Sequence, residues 1–133
     1  MSSHKRYKNY KALLKIEKAY ILIFKHEFEE SLTVLNSIDE DNLDRKMLKQ
    51  RYYDNLHQTY LGLKNYILGE YYFDKAYPKD EYKEDNYYYN KLRYAIGKNN
   101  INKADLHYKN IKSNYDNSLN GRILSDYFTL KKE

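Results

Sequence analysis

The sequence predicts an all-α fold of about seven helices, six of them paired as three antiparallel hairpins and the last capping them at the C-terminal end. Three observations carry this expectation. The pattern Phe28, Ser31, Leu35, Ile38 recurs as Tyr66, Gly69, Phe73, Ala76 and again as Ile101, Ala104, Tyr108, Ile111, at intervals of three, four and three. Those intervals trace one stripe of an α-helix. The apolar segments are longer than strands usually are, and turn residues fall at helix-like spacings. A stacked helical hairpin cannot close its own core, so repeats of this kind build an extended surface, which usually binds something.

Each element has a local reason. Residues 5–25 carry Tyr7, Leu13, Leu14, Ile16, Ala19, Tyr20 and Ile23 with Lys on the remaining face, the pattern of an amphipathic helix. A short turn at His26 and Glu27 leads to a second helix over 28–38, with Glu29 and Glu30 in its first turn, where the helix dipole favours negative charge. Residues 37–42 form a loop whose acidic and Asn side chains suit the cap of a third helix over 43–63, striped by Leu43, Met47, Leu48, Tyr52, Leu56, Tyr60 and Leu63. Lys64 and Asn65 turn the chain into a fourth helix over 66–77, which Pro78 stops because proline cannot continue the ladder. A fifth helix is expected over 85–96 with Gly97 as its C-cap. The sixth, capped by Asn99 or Asn100, is expected to run to about 114 after a longer 97–100 turn. The last spans about 119–131, with Leu119, Ile123, Tyr127 and Leu130 on one side and Lys131 and Lys132 at its end.

At 133 residues the chain is expected to form one domain, 1–133, too short for a second, catalytic domain. Its mean hydropathy is −1.03 although 41% of its residues are hydrophobic. The reconciling fact is that 18 of them are Tyr, which buries its ring and keeps its hydroxyl wet. No run approaches the roughly 20 apolar residues of a membrane span, no signal peptide is readable in 1–14, and the absence of Cys suits a cytoplasmic protein. The net charge of +5 raises the question of a nucleic-acid partner. Against this, Lys is scattered, Asp39, Glu40 and Asp41 interrupt it, and Tyr, Lys, Asn and Ile all have A/T-rich codons, so an A/T-rich genome alone could produce much of this composition.

The segment 53–78 resembles the tetratricopeptide repeat: Tyr53, Leu56, Tyr60, Tyr66, Phe73 and Ala76 stand where that family places its packing residues, and Pro78 falls near its terminating proline. The resemblance covers about 12–111 and is degenerate. The period is 38 from Phe28 to Tyr66 and 35 from Tyr66 to Ile101, against about 34 in the family. Lys15 and Lys18 stand where Tyr53 and Leu56 pack, and His57, aligned with Ala19, stands where a small residue is usual. The resemblance implies a right-handed stack of hairpins 5–38, 43–77 and 85–114, with first helices lining a concave face. That face would present Ile16, Tyr20 and Ile23, then Arg51, Asp54, Asn55, Gln58 and Leu61, then Tyr88 or Tyr89, Leu92 and Arg93. Ile16 and Tyr20 replace the Lys and Asn of the carboxylate clamp found in chaperone-binding members, so no such clamp is expected. In texture the chain is also similar to the peptide-sensing regulators of Gram-positive bacteria and their phages, as a sensor fragment or stand-alone relative.

No catalytic constellation is readable. His4, His26, His57 and His107 are dispersed without Cys partners, the glycines are isolated, and neighbouring carboxylates such as Glu29 and Glu30 point apart on a helix. No enzyme activity, metal or cofactor is expected. The expected function is recognition of a protein or short peptide through the concave face, with Tyr20, Arg51, Asn55, Gln58 and Arg93 as anchors. Replacing Asn55 and Gln58 by Ala is then expected to abolish binding without changing melting. The alternative is a small basic regulator holding nucleic acid through Lys5, Arg6, Lys8, Lys11 and Lys15. A third reading has exposed terminal helices pair into a homo-oligomer.

Overall fold

The computed structural model describes the backbone of residues 3–79, 81, 84–111 and 118–133, with side chains outside 3–5 and 118–120. Among these residues the protein is all-helical, with seven α-helices: α1 Ser3–Phe24, α2 Phe28–Asn36, α3 Lys46–Gly62, α4 Tyr66–Ala76, α5 Asp85–Gly97, α6 Ile101–Lys109 and α7 Ser118–Lys132. Two compact units, Met1–Tyr77 and Pro78–Glu133, divide a chain expected from its sequence to be one domain. In the first unit α1 pairs with α2 and α3 with α4, and α3 packs against both helices of the preceding hairpin. In the second, α5 packs against α6 and α7.

The repeated stripe explains the core. Its second residue is small and buried in all three helices, as Ser31, Gly69 and Ala104. Ser31 fills a contact where three helices meet: its hydroxyl shares a 2.9 Å hydrogen bond with that of Thr59 on α3 and lies 3.5 Å from the carbonyl of Ala19 on α1. Around it Ala12, Ile16, Leu35, Ile38, Leu43, Leu48, Tyr52 and Leu56 form the first core. Gly62 ends α3 without a side chain because a Cβ there would stand 2.4 Å from the Phe28 ring. The second unit closes on Tyr89, Leu92, Ala95, Ala104, Ile123 and Tyr127. Leu119 of the expected stripe lies outside the described side chains, and α6, expected to run to about 114, already ends at Lys109, where the Asn110 amide donates back to the His107 carbonyl at 3.1 Å.

Two further boundaries depart from the sequence reading. Leu43 is buried but not helical; a single 3-10 turn, Glu40–Asn42, capped by the Asp39 carboxylate on the Asp41 amide at 3.0 Å, precedes it. The third helix therefore starts at Lys46, and its capping residue, Arg45, makes no side-chain cap. Gly97 is not the turn residue either. All three hairpins turn through three residues with the middle one in the left-handed region: His26 at φ 61°, Lys64 at 61° and Asn99 at 56°. In each, the next amide donates back to a carbonyl five residues earlier, Glu27 to Leu22 at 2.8 Å, Asn65 to Tyr60 at 2.8 Å and Asn100 to Ala95 at 2.9 Å. This is the Schellman closure of a helix end. The 97–100 turn is thus no longer than the others. Asn65 and Asn100 then cap the following helices, their side chains accepting from Leu68 and Lys103 amides at 3.2 and 3.1 Å.

Tyrosine replaces aliphatic bulk between α3 and α4. Tyr72 stacks on Tyr60 at 5.8 Å and on Tyr53 at 6.1 Å, and Lys75 lies over the Tyr53 ring at 5.1 Å. The Tyr53 hydroxyl donates to Glu40, tying the 3-10 turn to α3. Burial pushes the Tyr52 hydroxyl up to about 12 and raises Tyr53, Tyr72, Tyr89 and Tyr127 as well.

In the unfolded chain these groups ionise near 10, so the folded state holds their protons more tightly. Their stabilising contribution is complete below pH 10 and is lost as pH rises from 10 toward 12. Absorbance at 295 nm should therefore titrate in two phases, the second coinciding with loss of helical circular dichroism; one phase near pH 10 with helicity intact would contradict it. At the turns, Lys64→Gly should stabilise by up to about 1 kcal/mol and Lys64→Val destabilise by about as much or more, read from urea midpoints, because only glycine enters the left-handed region without a Cβ clash.

Candidate functional site

The helix α1 is held beside α3 and the residues just before it by three pairings. Asn9 Nδ2 donates to Asp44 at 2.9 Å, Arg51 pairs with Glu17 at 2.5 Å, and Asn55 Nδ2 donates to the carbonyl of Ile16 at 2.9 Å. Residues 6–13 of α1 lie against 45–51, and residues 17–20 lie against 50–55, so the two first helices run in the same direction. Two clefts lie along their junction. One, of about 240 Å³, is lined by Glu17, Tyr20, Gln50, Arg51, Asp54, Asn55 and Tyr77. The other, of about 500 Å³, is lined by Arg6, Asn9, Tyr10, Leu13, Arg45, Met47, Leu48 and Arg51. Arg51 belongs to both, and its partner Glu17 lines the smaller one.

Of the expected anchors, Tyr20, Arg51 and Asn55 line the smaller cleft together. Tyr20 is 53% exposed and free to meet a ligand. Gln58 lies one turn beyond, donating to Asp54 at 2.7 Å. Arg93 belongs to the second unit, where its guanidinium donates to Asn90 at 3.3 Å. Ile16, Ile23, Tyr89 and Leu92, expected on the inner face, are buried as core. Asn55 also differs from expectation. It is only 3% exposed and its amide is engaged by α1, so its first role is to fasten two helices.

The polar floor of the smaller cleft is organised by Asp54, which accepts from Tyr77 at 2.7 Å and from Gln58 at 2.7 Å, with His57 Nε2 at 3.7 Å. Burial raises the Asp54 carboxyl above its ordinary value, and the two hydrogen bonds pull it back. Gln50, missed as an anchor, donates to the Ala76 carbonyl at 2.9 Å. Its signal was the helical spacing 50, 51, 54, 55, 58. Tyr77 had none, since its position follows from where Pro78 stops α4.

The larger cleft was not foreseen. Arg6 and Arg45 are 39 residues apart in sequence, and Arg45 precedes its helix. Of the cations expected to hold nucleic acid, Arg6 turns into this cleft, Lys8 and Lys11 are exposed on another stripe of α1, and Lys15 donates to the Ser37 carbonyl at 3.1 Å; the Lys5 side chain lies outside the described ones. Among the described residues no three His, Asp or Glu side chains group as a metal site, and no helix is long and apolar enough to cross a membrane. None of the family models, curated proteins and solved structures compared with the chain matches it.

The position of Asn55 reverses the expectation that its removal leaves melting unchanged. Asn55→Ala should cost about 1–2 kcal/mol in urea unfolding, because a buried hydrogen bond between helices is lost, whereas Tyr20→Ala, on an exposed face, should stay within about 0.5 kcal/mol. Equal stabilities for the two variants would remove the fastening role of Asn55.

Proposed function

We propose that the α1–α3 junction of the first unit is a groove that binds an extended segment of a protein or a short peptide, without catalysis. The observation that carries this reading is the pair of clefts in line along two parallel helices, meeting at Arg51. A chain laid along them finds donors in Gln50 and Arg51, an acceptor in Asp54, and rings in Tyr10, Tyr20 and Tyr77. Amide and carboxylate groups serve peptide backbone, and Tyr rings bring contact area at low entropy cost. The tetratricopeptide-like reading is supported by three hairpins with one turn geometry and by parallel first helices. A regulatory role follows if the bound segment is a short signalling peptide. The anchors of this groove are Tyr20, Arg51, Gln50 and Asp54; Asn55 and Gln58 support it from behind.

Two other readings each have an observation in their favour. Lys8 and Lys11 are exposed on one stripe of α1, which suits a phosphate backbone. Tyr7, Leu14, Ile21 and Phe24 are exposed along α1, which suits pairing of two copies.

The test of the groove uses the whole chain. Selection of displayed random dodecapeptides on the immobilised protein should enrich binders that lose at least tenfold in affinity to a Tyr20→Ala, Arg51→Ala variant with an unchanged melting curve. Binders indifferent to that variant would place recognition elsewhere.

A further inference from the structure

We infer that the larger cleft takes acidic side chains flanking an apolar anchor residue of the bound segment. This inference rests on the peptide-groove reading and names the chemistry its ligand must carry.

The cleft brings together three guanidinium groups, Arg6 from α1 and Arg45 and Arg51 from the start of α3. Among the described residues neither Arg6 nor Arg45 has an ion-pair partner, while Arg51 is held by Glu17. No Asp or Glu is among the lining residues, and Asp44 beside them is bonded to Asn9. The field of the cleft is therefore positive, and guanidinium forks fit carboxylates in two-point geometry. An incoming carboxylate also competes with Glu17 for Arg51, the residue shared with the neighbouring cleft.

Between the charges the walls are apolar. Leu48 is buried, Leu13 is half-buried, and Met47, 71% exposed, is left open by the described residues. Met is an adaptable contact for side chains of differing shape. A volume of about 500 Å³ suits one or two side chains. Sequence-tolerant binding of single-stranded nucleic acid would need a run of aromatic platforms for the bases, and here Tyr10 is the sole ring among the lining residues. Acidic peptide, rather than nucleic acid, matches both the charges and the walls.

The probes are a fluorescein-labelled dodecapeptide with two Asp-Glu pairs around a central Leu-Phe, its Asn-Gln counterpart, and labelled oligothymidylate of equal length, all titrated by anisotropy against the full chain. The acidic peptide should bind at least tenfold tighter than the amide counterpart and tighter than the oligonucleotide. Arg6→Gln with Arg45→Gln should erase that preference while the melting curve stays in place. Equal binding of both peptides, both weakened by Tyr20→Ala, would leave the groove standing and overturn its acidic preference. An acidic preference that survives the double Arg variant would overturn the assignment to this cleft. Oligothymidylate binding as tightly as the acidic peptide would overturn it in favour of the phosphate-binding reading. Binding of none of the probes would remove the groove and the inference together.

Discussion

A single side-chain amide decides the geometry of the first unit. Asn55 sends its donor into the backbone of α1 at the Ile16 carbonyl, and a backbone atom, unlike a side chain, cannot move aside without moving its helix. This fixes the height of α3 against α1. The Ser31–Thr59 hydrogen bond fixes the same helix against α2. With α3 pinned to both helices of the preceding hairpin, Arg51 meets Glu17, and Gln50 and Asp54 face Tyr20 across the cleft. Buried polar groups of this kind cost stability unless satisfied, and when satisfied they specify one arrangement among several that apolar packing would tolerate.

How much of this was legible can be followed residue by residue. The starts of α2, α4 and α6 at Phe28, Tyr66 and Ile101 were readable because the three-four-three stripe is local to each helix. Leu43 misled because an apolar residue in phase with a helix packs equally well from a preceding turn, and the Asp39 cap closes that turn first. Gly97 misled because glycine is the commonest left-handed residue, whereas Asn99 tolerates that region through its short side chain. Ile16 and Leu92 were placed on the groove face because a helical wheel gives the width of an apolar arc but not which edge a neighbour covers. The arginine cleft was invisible because its cations come from two helix beginnings that only the parallel pairing of α1 and α3 brings together.

Tyrosine reconciles a strongly polar composition with a closed core. A Leu-rich hairpin would bury the same area but leave the Glu40 turn untethered. Tyr53 packs its ring between helices and spends its hydroxyl on Glu40, and Tyr127 does the same with Asp105, which Lys131 also approaches at 3.6 Å. The hydrogen bond from Tyr127 holds the Asp105 carboxyl below its ordinary range. In both units a ring and its hydroxyl link core to surface through one residue.

The three left-handed turns bear on how the chain folds. Each is closed by hydrogen bonds that begin and end within six consecutive residues, and two of the three are followed by the same Asn cap. A turn that needs nothing from the rest of the molecule can close before the helices on either side have found their neighbours. The same left-handed corner at His26, Lys64 and Asn99, φ 56–61°, is carried by three different side chains, so its shape is set by backbone closure and not by the residue that occupies it.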